Sequence, residues 1–120
     1  ILAQGDIDEG AILRDMACAV GVELTPANAP RVAALLKRVR PDVARAVARP
    51  KHFYGRKRPY LIDDGPICAA ATPDLAASPD YPSGHATWGW TVGLILAELA
   101  PARATDILVR ARAYGESRIV

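Results

Sequence analysis

From Gly84 to Ala100 the chain is apolar on nearly every side of a helix. A helix without a polar face fits the middle of a bundle rather than its surface. Gly89, Gly93 and Ala97 recur every fourth residue, so they share one face. Each interior glycine costs a helix about 1 kcal/mol relative to alanine. Close approach of a neighbouring helix along this smooth stripe is the expected offset. The preceding residues, Tyr81-Pro82-Ser83-Gly84-His85, read as a turn that opens directly into the helix. Pro82 presets one backbone angle, and Ser83 is a good N-cap. Gly84 and His85 are then the first helical residues. The first N–H groups of a helix lack internal partners and sit at the positive end of its dipole, which makes them a ready anion site. A glycine there admits an anion close to the backbone, and a histidine beside it can donate a proton. Taken alone, the stretch reads equally well as a capped helix start with an incidental histidine.

The other elements read as helices arranged around this one. Asp6 or Asp8 can cap a first helix that carries Ile12, Leu13, Met16, Ala17 and Val20 at helical spacing, with Gly21 placed to end it. Thr25-Pro26 reads as a cap with proline at the first helical position, and Val32, Leu35, Leu36 and Val39 point inward from that second helix. Pro41-Asp42 restarts the chain into a third helix, and Pro50 kinks or restarts it again, with about two further turns reaching Lys57. Pro59 disfavours helix at Arg58. Residues 60–80 are dominated by Gly, Pro, Asp and Ser. A stretch this long without a period in a small domain is expected to be functional or strapped down. Pro101 opens a last helix with Ile107, Leu108, Ala111 and Tyr114 on one side, and Gly115 is placed to bend or break it. No strand pattern or internal repeat is evident. The expected architecture is an all-α bundle formed by a single domain over residues 1–120.

Composition narrows the classes of function. A hydrophobic fraction of 51% with 23% charged residues describes a globular chain. A net charge of +2 without a long basic run argues against a nucleic-acid partner. The stretch from Ala86 to Leu99 is broken by Glu98 and is too short to span a bilayer. No signal peptide is visible, and the chain starts at Ile1, so processing or truncation at the front is compatible with the sequence. Two cysteines, Cys18 and Cys68, fit either one disulfide or two separate thiols.

The positive charge is local, with Lys51, Arg56, Lys57 and Arg58 close together and His52 among them. On a continuous helix Lys51 and Arg58 leave the same face about 10 Å apart, within reach of one anion. Arg56 and Lys57 read as solvated charges, and His52 as a surface histidine. Near the end stands Gly115-Glu116-Ser117-Arg118. Each piece alone is unremarkable. In order, Lys51-x6-Arg58-Pro59, Tyr81-Pro82-Ser83-Gly84-His85 and Ser117-Arg118 resemble the three-part signature of the type 2 phosphatidic acid phosphatase superfamily: K-x6-R-P, P-S-G-H, and S-R-x5-H-x3-D. The flanking Leu24-Thr25-Pro26, Cys68 and Leu96-Ala97-Glu98…Pro101-Ala102-Arg103 are similar to the bacterial class A non-specific acid phosphatases within it.

The resemblance implies a metal-independent and cofactor-free phosphomonoesterase, exported to the periplasm or secreted. Its partners would be a phosphomonoester substrate or inorganic phosphate, and a homo-oligomer is compatible with the sequence. By matched position Lys51, Arg58 and Arg118 hold the phosphate oxygens, Ser83 and Gly84 add a hydroxyl and a backbone donor, and His85 protonates the departing alcohol. Export would also allow a Cys18–Cys68 disulfide. One departure stands out. The family's nucleophilic histidine lies six positions after the Ser-Arg arginine and its orienting aspartate four further on, but only Ile119 and Val120 follow Arg118. The expected reading is therefore an incomplete acid phosphatase chain that is inactive alone. Two other readings share the residues: a vanadium-dependent haloperoxidase, against which the short motif spacing argues, and a non-catalytic phosphate-binding helical module.

Overall fold

The computed structural model describes residues 8–62, 65–66 and 72–117. Arg118, Cys68 and the alternative cap Asp6 lie outside them. The helices are α1 (Glu9–Val20), α2 (Pro30–Tyr54), the short α3 (Pro73–Ala77), α4 (Gly84–Leu99) and α5 (Ala104–Glu116), with 3-10 turns at Pro59–Leu61 and Pro101–Arg103. No strand occurs among the described residues, and the all-α expectation is borne out. No helix among them is long and apolar enough to cross a membrane.

Helix α1 starts and stops where its local chemistry dictates. The Asp8 carboxylate accepts the Ala11 N–H at 2.7 Å, and Gly21 ends the helix at φ 90°, a left-handed conformation that glycine adopts without steric cost. Ile12, Leu13 and Met16 are fully buried. They meet Leu36 of α2, Trp88, Val92 and Leu96 of α4, and Ile107, Ala111 and Tyr114 of α5 in one core. Arg110 pairs with Asp15 at 3.2 Å and Arg40 with Glu9 at 3.3 Å, tying α5 and α2 to α1. Cys18 is an exposed free thiol.

The glycine stripe finds its neighbour in α5. A Cβ built on Gly89 would lie 2.3 Å from Tyr114 Cδ1, and one on Gly93 would lie 2.5 Å from the Ala111 Cβ. Positions ascend along α4 as they descend along α5, so the two helices run antiparallel from the Pro101–Arg103 turn. Gly115 does not break α5, which continues to Glu116. Its small size faces Ala86, whose Cβ lies 3.5 Å from the position a Gly115 Cβ would take. Helix α4 buries Trp88, Gly89, Val92, Gly93 and Leu96 on one side. Trp90, Leu94 and Leu99 remain exposed on the other, so this helix is enclosed on one side rather than all round.

Three expectations for the second helix are corrected. Thr25-Pro26 does not start it. The Thr25 hydroxyl accepts the Asn28 N–H at 3.1 Å, and the Asn28 side-chain carbonyl accepts the Thr25 N–H at 2.8 Å. These reciprocal bonds close a turn, and the helix begins at Pro30. Nor does Pro41 or Pro50 divide it, since α2 passes through both to Tyr54. Each proline removes an internal N–H bond. However, Leu36 and Val47, eleven residues apart and therefore on one face, are both buried. Packing of that face outweighs the local preference to break. Leu35, expected to point inward, is 39% exposed, because it lies beside that face rather than on it.

The glycine stripe is testable. Gly89→Leu would drive a bulky group into the Tyr114 ring and is expected to destabilise the fold by about 3 kcal/mol, the upper range for overpacking. Urea unfolding measures this, and an unchanged midpoint would remove the close-packing argument.

Candidate functional site

The end of α2 and the start of α4 are brought together by a short strap, Ser78-Pro79-Asp80. At the end of α2, Gly55 takes a left-handed φ of 55° and its N–H bonds the Lys51 carbonyl. Arg58 is then extended at φ −64° and ψ 145°, as a residue before proline prefers. Lys51 and Arg58 are therefore not two turns apart on one helix face, as their spacing predicts. They meet instead on the strap. Lys51 Nζ donates to the Pro79 carbonyl at 2.6 Å, and Arg58 Nε donates to the Ser78 carbonyl at 3.0 Å.

Arg56, between them, holds the third residue of the strap. Its guanidinium donates to both Asp80 carboxylate oxygens, at 2.7 and 3.1 Å, and its carbonyl accepts the Asp80 N–H at 3.0 Å. The Asp80 side chain is only 10% exposed, against 63% for Arg56. The Tyr81 ring lies beneath the same guanidinium, its centroid 5.6 Å from Cζ. The chain then passes a cis Tyr81–Pro82 bond into α4.

Ser83 caps α4 as expected. Its Oγ accepts the Ala86 N–H at 3.1 Å, and its carbonyl accepts the Thr87 N–H and hydroxyl at 3.0 and 2.8 Å. Gly84 and His85 are the first two helical residues. A Cβ at Gly84 would meet nothing within 4 Å, so space opens beside the helix end. Ser117 Oγ donates to the Tyr114 carbonyl at 2.6 Å in the last turn of α5.

Of the expected site residues, Lys51 and Arg58 are thus joined to the strap, and Ser83, Gly84 and His85 follow it directly at the start of α4. Arg118 lies outside the described residues. His52 is exposed. The pairing of Arg56 with Asp80 is not legible in the sequence, because nothing local links residues 24 positions apart. Lys57 remains a solvated charge.

The electrostatics follow from the geometry. Burial, together with the neighbouring Arg58 charge, lowers the Lys51 pKa from its ordinary 10.5, and Asp80 opposes the shift. The Asp80 hydrogen bond and charge raise the pKa of Arg56. Two cations on neighbouring strap carbonyls form a local positive field, suited chemically to a multiply charged oxyanion.

No family model matches the chain. Over 116 residues, 96% of this chain and 44% of the relative, it is 43% identical to the acid phosphatase of Zymomonas mobilis. It is 31% identical over 117 residues to the non-specific acid phosphatase of Providencia stuartii, covering 96% of this chain and 47% of that one. It is 29% identical over the same shares to the one of Salmonella typhimurium. The chain is thus similar to bacterial acid phosphatases along almost its whole length, as its motifs indicated. It spans a little under half the length of these curated relatives.

The coupling between the two cations is measurable. A lowered Lys51 pKa means that, between the folded value and 10.5, the unfolded chain holds more protons, so this group's contribution to stability rises with pH across that window. Arg58→Gln removes the repulsion and is expected to move the Lys51 pKa up toward the ordinary value, read by the Lys51 13Cε chemical shift. No movement would mean that Arg58 is not a source of the shift.

Proposed function

We propose that this chain supplies the phosphate-holding part of an acid phosphatase site that hydrolyses phosphate monoesters through a phosphohistidine. The observation that carries the reading is the convergence of Lys51 and Arg58 on the strap that leads into the Ser83-capped end of α4. The relatives named acid phosphatase support the phosphatase activity.

In this reading Lys51, Arg58 and Arg118 bind the non-bridging oxygens. The Ser83 hydroxyl and the Gly84 N–H add donors at the positive end of α4. Phosphoryl transfer depends mainly on charge stabilisation and in-line placement, which such donors supply. The nucleophile is the histidine that the family pattern puts six positions after Arg118. Its ring nitrogen attacks phosphorus as the ester P–O bond breaks, and His85 donates its proton to the departing alkoxide. Water then attacks the phosphohistidine, gives a proton to His85, and releases phosphate. His85 cannot serve as acid and nucleophile in the same step, and His52 matches no family position. The protein works in the periplasm or outside the cell.

Two measurements test this. Phosphate or vanadate is expected to raise the melting temperature of the chain. The stabilisation approaches about 2.7 kcal/mol at a hundredfold excess over Kd, and Arg58→Ala abolishes the rise. Hydrolysis of p-nitrophenyl phosphate is expected to be absent from residues 1–120 and present in a chain extended through the expected histidine and aspartate. Turnover by residues 1–120 that His85→Ala abolishes would show that the nucleophile has been misassigned.

A further inference from the structure

An aromatic cluster adjoins the strap, and neither the fold nor the phosphate chemistry accounts for it. Phe53 and Tyr54 close α2, and Tyr81 precedes the Pro82-Ser83 turn. Their rings form a continuous edge-to-face series, Phe53 to Tyr54 at 5.0 Å and Tyr54 to Tyr81 at 5.3 Å. Edge-to-face contact is a favoured aromatic geometry. All three remain exposed to solvent, at 81, 60 and 47%. Apolar area left in water in one contiguous patch is a feature of binding surfaces.

Two observations tie this patch to the phosphate-binding residues. Tyr54 lies three residues beyond Lys51 on α2, so the two side chains are neighbours on one helix face. Tyr81 lies two residues before Ser83. The patch therefore touches both ends of the candidate site. It is also held in place. Arg56 is fixed by two bonds to Asp80, and its guanidinium covers Tyr81, an arrangement stabilised by attraction between cation and ring.

We propose that Tyr54 and Tyr81, with Phe53 at the outer edge, form a subsite for a planar aromatic leaving group of the phosphomonoester. The inference rests on the phosphate site read above. A phosphoryl group seated among Lys51, Arg58 and the start of α4 projects its ester oxygen outward. An aryl or heteroaryl group on that oxygen reaches the tyrosine rings, whereas a short alkyl group does not. Stacking of this kind depends on ring faces and little on substituents, so the subsite favours aromatic esters as a class.

Calorimetric titration of the 120-residue chain with inorganic phosphate, methyl phosphate and phenyl phosphate tests the proposal. Phenyl phosphate is expected to bind about tenfold more tightly than methyl phosphate, equivalent to about 1.4 kcal/mol. Tyr54→Ala is expected to bring that ratio to about one, and Tyr54→Phe to preserve it, because the ring rather than the hydroxyl makes the contact. Tyr54 is exposed at the end of its helix, so these variants retain the fold. Equal affinity of the two esters for the unaltered chain, or a preference that survives Tyr54→Ala, would overturn the aromatic subsite and leave the phosphate site standing. Failure of all three compounds to bind would overturn the phosphate site and the subsite with it.

Discussion

The contact between α4 and α5 is the constraint on which the rest of the fold depends. At Gly89 the Tyr114 ring occupies the volume a side chain would need, and at Gly93 the Ala111 methyl does the same. Two helices that meet at this distance have little freedom to slide, because each register shift would put a side chain where only hydrogen fits. That fixed pair gives α1 and α2 a surface to cover, and Trp88, Val92, Leu96 and Ile107 become a shared core rather than separate faces. It also fixes the start of α4. The helix that carries Ser83, Gly84 and His85 at its tip is anchored two turns further along.

The second organising element is the strap. Ser78, Pro79 and Asp80 are bonded in order by Arg58, Lys51 and Arg56. A backbone segment carrying no regular structure is thereby fixed by three side chains from a single neighbouring stretch. The short link from Asp80 to Ser83 transmits that position to the helix end. The arrangement accounts for why cations at the end of a long helix and a capped helix start elsewhere in the chain belong to one place.

Features with local causes are legible in the sequence, and features with remote causes are not. The Gly21 stop, the Ser83 cap and the glycine stripe each rest on residues within a turn or two of one another, and each is legible, as is a first-helix cap at Asp6 or Asp8. The unbroken α2 is not. Proline's effect is felt over one turn, whereas Leu36 is buried against core residues of α1 and α4, which a local pattern does not contain. Thr25-Pro26 misled for a related reason, since threonine's hydroxyl serves a turn as readily as a helix. At the candidate site, motif order singles out Lys51, Arg58, Ser83, Gly84 and His85 as candidates. It could not give the strap contacts, because Lys51 and Pro79 are 28 positions apart. Arg56 reads as a solvated charge because its partner lies 24 positions away.

The acceptors that the strap offers Lys51 and Arg58 are peptide carbonyls, which are dipoles rather than ions. In the language of inhibition, the chain carries a weak competitor for its own cations, tethered in cis at a fixed effective concentration. A charged oxygen forms the stronger bond to a cation and outcompetes a carbonyl, whereas a neutral oxygen gains nothing by the exchange. The resting contacts thus act as a threshold. They hold two like charges at close quarters, and a neutral acceptor such as a sugar or alcohol oxygen is poorly suited to displace the carbonyls, whereas a fully charged oxygen is well suited to do so.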